Sequence, residues 1–85
     1  MGMNDLILDE GRVYGVRYYT VEPKMTWDPN WYNQHWHNMK RWCNNTFGDI
    51  PEDISRAPNA RWYAFNSRFY FREKEDQMMF VLKWS

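Results

Sequence analysis

Residues 31–43 (WYNQHWHNMKRWC) contain the side chains of this 85-residue chain that are best suited to chemistry. Both histidines and the single cysteine fall here, together with a methionine, as His35, His37, Met39 and Cys43. Imidazole nitrogen and sulfur are ligands for zinc and copper, and a cysteine beside a histidine can act as a nucleophile with its base. The segment therefore has two interpretations, a metal or catalytic site and the buried side of an ordinary helix.

The spacing of these side chains disfavours a site. His35 and His37 point about 200° apart on a helix, so they cannot bind the same ion. His35, Met39 and Cys43 stack at four-residue steps, but most transition-metal sites need a further ligand from elsewhere in the chain. His35 and Cys43 lie about 12 Å apart along the helix axis, beyond the reach of proton transfer. We predict no metal site, no bound cofactor and no catalytic residue.

A helical projection of residues 31–47 favours the second interpretation. At about 100° per residue, the apolar and polar side chains separate onto two sides of the helix. The apolar side contains Trp31, Trp42, His35, Thr46, Met39, Tyr32, Cys43, Trp36 and Phe47. Asp28 and Pro29 are typical of a helix start, and Gly48 is typical of a helix end. We therefore predict one core helix between these signals.

The composition bounds the size and class of the protein. The chain suffices for one small domain, residues 1–85, and six Trp, six Tyr and five Phe supply its buried area. One cysteine cannot form an internal disulfide, which favours a reducing compartment. The first residues contain no basic leader and no apolar run reaches membrane length, so we expect a cytoplasmic protein. Eleven basic and eleven acidic side chains cancel, which argues against strong non-specific binding to phosphate groups.

The first quarter of the chain predicts two strands. Residues 6–8 favour a short strand, residues 9–11 (DEG) a turn, and residues 12–22 a longer strand rich in Val, Tyr and Thr. Both faces of the longer strand carry apolar groups, so we expect it to be central in the sheet. Within it, Gly15 indicates a bulge or a close contact.

The second half of the chain predicts a loop, a hairpin and a segment with two interpretations. Residues 49–60 contain two prolines and small polar groups, which is typical of a loop. Residues 61–72 predict two strands joined by a turn at Asn66 and Ser67. Residues 73–84 favour a helix that places on one stripe Gln77, Phe80, Val81 and Trp84. As a strand, the same residues would alternate Phe80, Leu82 and Trp84.

These elements predict an α+β domain, in which an antiparallel sheet of three to four strands carries both helices on one face. Phe69 and Phe71 would lie beneath the helices, and the alternate residues would form the opposite face. That face is a candidate docking surface, because Tyr, Trp and Arg are enriched at binding hot spots. The predicted partner-binding residues are Tyr14, Tyr18, Arg61, Trp62, Arg68, Tyr70 and Arg72. The register decides between Trp62 and Tyr63, and between the pair Tyr14 and Tyr18 and the alternative Tyr19. A solvated face without a partner is the other interpretation.

The predicted partner is a protein, and this class includes a second copy of the chain. The alternative partner is single-stranded nucleic acid, because bases stack on exposed rings and arginines bind phosphates. Residues 61–65 (RWYAF) are faintly similar to the RNA-recognition strand pattern but lack its glycine and its basic excess. A salt titration separates the two partners, since nucleic-acid binding weakens steeply with salt. Both functions are binding functions, and we do not expect an enzyme.

The last 25 residues, 61–85, combine an F-x-F strand with an acidic helix start, a phenylalanine and a tryptophan near the end. The residues of this pattern are Phe69, Phe71, Asp76, Phe80 and Trp84. In this pattern the segment resembles the endings of small uncharacterised proteins encoded by large tailed bacteriophages, although the resemblance implies a small residue where this chain has Gln77. The resemblance implies a compact α+β, ferredoxin-like arrangement and no catalytic residue. It also implies a phage accessory role, such as binding and redirecting or inhibiting a host or phage protein.

Overall fold

The protein is described by a computed structural model that covers residues 6–13, 15–24, 28–49 and 60–84. The chain begins with the strands β1 (Leu6–Val13) and β2 (Val16–Pro23). A long helix follows, made of an α-helical turn Pro29–Trp31, a π-helical segment Tyr32–Trp36 and an α-helical part His37–Phe47. The last elements are β3 (Trp62–Phe65), β4 (Arg68–Phe71) and the C-terminal helix (Lys74–Trp84). The α+β class and the helical interpretation of the last segment are thereby confirmed.

The four strands form one antiparallel sheet in the order β1-β2-β4-β3. The predicted central position of β2 is confirmed, because this strand pairs with β1 on one side and β4 on the other. Each of the two hairpins is followed along the chain by a helix. A ferredoxin-like fold instead alternates strand, helix and strand twice, so the ferredoxin-like arrangement is not confirmed.

The first hairpin turns later along the chain than predicted. Val13 pairs with Val16, so the strands are joined by the two residues between them. Of these, Gly15 has a φ of +77°, a left-handed conformation that glycine adopts without steric cost. Residues 9–11 continue β1, so the predicted turn at that position is wrong, and Gly15 marks a turn instead of a bulge. Tyr14 lies outside the described residues.

The second hairpin turns at the predicted position. Asn66 and Ser67 have φ values of +54° and +65°, and Phe65 pairs with Arg68 on either side of them. Two consecutive residues with positive φ are typical of a type I′ turn, whose twist matches that of the two strands. The turn prediction is confirmed, although neither residue is a glycine.

The signals at both ends of the long helix are confirmed. The side chain of Asp28 accepts a hydrogen bond of 3.0 Å from the backbone N–H of Asn30, and Pro29 is the first helical residue. At the other end Gly48 has a φ of +100°, and its N–H donates to the carbonyl of Asn44. The π-helical segment between them was not predicted, because it leaves no simple mark in the apolar pattern.

The apolar side of the long helix faces the core as predicted, with one exception. Its buried residues are Trp31, Trp36, Met39, Cys43 and Phe47. His35 and Trp42 are half-buried, whereas Thr46 in the last turn is exposed. On the projection Thr46 lies beside the half-buried His35 and Trp42, at a margin of the apolar side that an angle alone does not separate from the buried centre.

Both helices pack on the same face of the sheet, where the core lies. The ring centroids of Trp36 and Phe80 lie 4.6 and 4.7 Å from that of Phe69 in β4. The side-chain amide of Gln77 donates to the backbone carbonyls of Thr20, at 3.0 Å, and Asp9, at 3.4 Å. Gln77 therefore ties the C-terminal helix to β1 and β2, a contact that a small residue cannot make. Within the described ranges, no helix has the length and apolar character needed to cross a membrane.

Candidate functional site

The histidine and cysteine side chains of the long helix do not converge on a site. Met39 and Cys43 are fully buried, His37 is exposed, and the ring of His35 packs 5.3 Å from that of Trp31. Burial raises the pKa of the Cys43 thiol well above its ordinary value, and the charge of Asp76 adds to the shift. The thiol is therefore protonated at neutral pH and unsuited to act as a nucleophile. Over the described ranges, no three His, Cys, Asp or Glu side chains are grouped so that they could hold a metal ion.

The face of the sheet opposite the helices carries a row of aromatic rings. From the β3 edge inward, the rings follow in the order Phe65, Tyr63, Tyr70 and Tyr18. The centroids of neighbouring rings lie 6.1 Å apart in each case. Strand pairing places Tyr63 opposite Tyr70, and Tyr70 opposite Thr20. We call this row the ring row. Its exposure decreases along its length, from Phe65 at 62% to Tyr18 at 0%.

Two arginines flank the ring row, and they differ in how they are anchored. The Arg72 guanidinium lies 5.8 Å from the ring centroid of Tyr18 and donates a 2.7 Å hydrogen bond to the carbonyl of Arg17. Arg68 is half exposed, and its Nε lies 3.8 Å from a carboxylate oxygen of Glu22. A pair at this distance is a weak ion pair without a hydrogen bond. Arg68 therefore remains available to a partner, whereas Arg72 supports the ring beneath it.

Tyr18 belongs to the interior end of the ring row and not to an exposed surface. Its side chain has no exposed area, and its hydroxyl donates a 3.2 Å hydrogen bond to the carbonyl of Ala60. Burial raises the pKa of this hydroxyl, while the charge of Arg72 acts in the opposite direction. The expectation that Tyr18 contacts a partner therefore needs correction, because the side chain is covered within the chain itself.

The pairing register of β3 decides whether Trp62 or Tyr63 lies on the open face of the sheet. Trp62 pairs with Phe71 on the helix side, is 2% exposed, and donates a 2.6 Å hydrogen bond from Nε1 to the carbonyl of Gly48. Tyr63 lies on the opposite face in the ring row. The predicted place of Trp62 on the docking face is wrong, because successive residues of a strand point to opposite faces.

Arg61 is also directed away from the ring row. Its guanidinium lies 5.1 Å from the ring centroid of Phe47 and bonds both carboxylate oxygens of Asp76, at 2.9 and 3.3 Å. This hydrogen bond raises the pKa of the Arg61 guanidinium. The Asp76 side chain is only 6% exposed, against 56% for that of Arg61. Arg61 therefore neutralises a buried carboxylate on the helix side, and its predicted role on the docking face is replaced by this one.

The exposed part of the open sheet face is smaller than predicted and differs in its members. Strand pairing places Ile7 opposite Glu22, and Arg68 opposite Phe65, on that face. We define the open-face patch as Ile7, Tyr63, Phe65, Arg68 and Tyr70. Ile7 and Phe65 were not predicted as members, although alternation from Tyr70 identifies Phe65 once the turn at 66–67 is known.

A second exposed apolar surface lies on the C-terminal helix, where sequence reasoning identified only the buried stripe. Its large exposed side chains are Met78, Met79 and Leu82.

Comparison of the chain with models of known protein families, with curated proteins and with solved structures finds no match. The two exposed surfaces are therefore the candidate binding sites of the described residues.

Proposed function

We propose that this protein is a non-catalytic protein-binding module whose partner docks on the open-face patch. The observation that carries the proposal is Phe65, whose ring is 62% exposed and yet stacked against Tyr63 with an interplanar angle of 29°. An exposed ring that is already ordered loses little conformational entropy when a partner covers it. Arg68 beside it adds a residue type that, with the aromatics, is enriched at binding hot spots.

The charges of the patch favour a protein over single-stranded nucleic acid. Glu22 lies beside Arg68, and Asp9 pairs with Thr20 in the row that contains Tyr70. Nucleic acid stacked on these rings would bring its phosphates close to both carboxylates, whereas such binding requires a positively charged groove. A protein segment with one apolar side chain for Phe65 and one carboxylate for Arg68 fits these charges better. The patch has five residues, fewer than the roughly 20–30 a side of a stable interface, so we expect a transient contact of moderate affinity.

The resemblance to phage-encoded proteins extends the proposal to the partner's origin. The partner is then a host or phage protein that this chain redirects or inhibits, and the site of action is the host cytoplasm. The lone cysteine supports a reducing compartment, because it is free and buried and the fold uses no disulfide.

The test is an affinity capture from lysate of the host cell, with nuclease-treated and untreated arms, read by mass spectrometry. We expect a defined protein to be retained in both arms, and its recovery to fall at least about tenfold for Phe65→Ala and for Arg68→Ala. Arg41→Ala is the matched control, because Arg41 is an exposed arginine on the polar side of the long helix. Equal recovery by all four proteins would overturn the proposal.

Direct titration with a fluorescent single-stranded oligonucleotide tests the alternative function. The protein-binding proposal predicts no saturable binding at about 0.15 M salt. Binding that weakens steeply as salt rises, and that is lost in Phe65→Ala, would establish the nucleic-acid function instead.

A further inference from the structure

The outward half of the C-terminal helix combines three large apolar side chains with charged residues in its first and last turns. At about 100° per residue, its exposed side chains fill one continuous arc in the order Lys74, Met78, Leu82, Glu75, Met79 and Lys83. Leu82 is 80% exposed, and the two methionines are each nearly half exposed. The inward half supplies the core with Phe80 and bonds the sheet through Gln77. Three large apolar side chains therefore face solvent side by side, as is typical of a protein contact surface.

The apolar surface continues from this helix onto the sheet. Met78, Met79 and Leu82 line a shallow depression of about 460 Å³. Met78 also lines an adjoining groove of about 310 Å³ with Leu8 and Tyr19 of the first hairpin. Leu8 is half exposed on the helix side of the sheet, beside the edge of the core. A partner that covers the helix can therefore extend its contact along β1.

The charged side chains of the arc can pair with those of the same arc on a second copy of the chain. Glu75 and Lys83 lie four residues before and after Met79, about 6 Å along the axis in opposite directions. When two copies of the helix pack antiparallel with the middle of the arc at the contact and the two-fold axis level with Met79, Glu75 of each copy lies beside Lys83 of the other. The Lys83 ammonium lies 5.5 Å from the ring centroid of Trp84, and its flexible stem can reach across the arc. Such a surface is self-complementary, which is the requirement of a symmetric dimer interface.

We propose that the C-terminal helix is the interface of a symmetric homodimer, in which Met78, Met79 and Leu82 of two copies interdigitate between two Glu75–Lys83 ion pairs. The helix is only about 16 Å long, so the buried area falls below the roughly 800 Å² per partner of a stable interface. The dimer is therefore concentration-dependent, with a Kd in the micromolar range. The proposal is independent of the function assigned to the open-face patch, because the patch lies on the other face of the sheet.

Sedimentation velocity from about 5 to about 500 µM tests the dimer. We expect the mass to rise with concentration from 10.6 kDa towards twice that value. Glu75→Lys and Lys83→Glu each place like charges opposite one another twice, so each variant alone should weaken the dimer at least about tenfold. The double variant, Glu75→Lys with Lys83→Glu, restores both ion pairs with reversed sign and should recover the wild-type Kd to within about threefold.

Two further variants test whether these effects are specific to the helix surface. Leu82→Asp should abolish the dimer at every concentration, and its far-UV circular dichroism should match the wild type because the side chain is exposed. Glu22→Lys makes the same charge change as Glu75→Lys on the opposite face of the sheet and should leave the Kd unchanged. A wild-type protein that stays monomeric to the highest concentration would overturn the proposal. So would a double variant as weak as the two single ones, because the interface would then not pair Glu75 with Lys83.

Discussion

At the scale of single residues, burial decides the chemistry of Cys43. Burial raises the pKa of its thiol, so the folded protein keeps the proton as the pH rises past the ordinary thiol value of about 8.5. The unfolded chain releases the proton, and the stability of the fold must therefore fall above that pH.

We expect the free energy of unfolding of the wild type to decrease by about 1 kcal/mol between roughly pH 7.5 and pH 9.5 from this group. Urea unfolding at the two pH values measures the change. Cys43→Ala removes the ionising group, so its free energy of unfolding should be nearly the same at both pH values. An equal decrease in the variant would show that another group is responsible.

The ion pair of Arg61 and Asp76 is the second residue-scale feature, and its two partners are unequal. Asp76 is buried in the first turn of the C-terminal helix, whereas Arg61 is more than half exposed. Removing the arginine leaves a buried carboxylate without its charged partner, and removing the carboxylate leaves an arginine that water can solvate.

We therefore expect Arg61→Ala to lower the free energy of unfolding by about 2–3 kcal/mol, and Asp76→Ala by less. Adding Asp76→Ala to Arg61→Ala should recover part of the loss, which chemical denaturation of the four proteins would reveal. A double variant less stable than Arg61→Ala would contradict this account. The sequence identified Asp76 only as a favourable helix-start residue, because its partner lies fifteen residues away.

At the scale of elements, the second hairpin depends on two residues in an uncommon conformation. Asn66 tolerates positive φ better than most residues, but Ser67 at +65° has no such preference. Glycine at this position would remove the steric cost and complete the Asn-Gly pair typical of type I′ turns.

We expect Ser67→Gly to raise the free energy of unfolding by about 0.5–1 kcal/mol and Ser67→Val to lower it, as thermal denaturation would show. Ser67 lies between Phe65 and Arg68 of the open-face patch. If the hairpin keeps its register, Ser67→Gly should capture the partner as well as the wild type does. A turn of another type would reverse the sign of the glycine effect.

At the scale of the whole molecule, the two exposed apolar surfaces lie on opposite faces of one sheet. The open-face patch lies on β1, β3 and β4, and the proposed dimer surface lies on the outward side of the C-terminal helix. A dimer formed through the helix would leave both patches free, and two linked binding sites raise the apparent affinity for a partner with repeated epitopes.

We therefore expect substitutions in one surface to leave the binding activity of the other surface unchanged. Glu75→Lys should weaken the dimer at least about tenfold and retain capture of a monovalent partner, whereas Phe65→Ala should lower capture at least about tenfold and retain the wild-type dimer Kd. Sedimentation and capture assays on the same preparations measure both effects. Loss of both activities in Phe65→Ala, with wild-type circular dichroism, would place the two functions on one surface.

The sequence by itself determined the features that depend on near neighbours. Asp28, Pro29 and Gly48 cap and end the long helix through groups within four residues, and the turn at Asn66 and Ser67 follows from local backbone preferences. The apolar side of the long helix follows from periodicity in the same way, whereas periodicity favoured a helix for the last segment but left a strand open.

Only the tertiary structure decided which side chains remain exposed. The choice between Trp62 and Tyr63, the burial of Tyr18 and the pairing of Arg61 with Asp76 all depend on register and on contacts between distant parts of the chain. A shift of one residue in a strand exchanges its two faces, and no local pattern reports which strand lies beside it. The exposure of the Phe65 ring depends on such contacts as well, although its place on the open face follows from alternation once the turn at Asn66 and Ser67 is known.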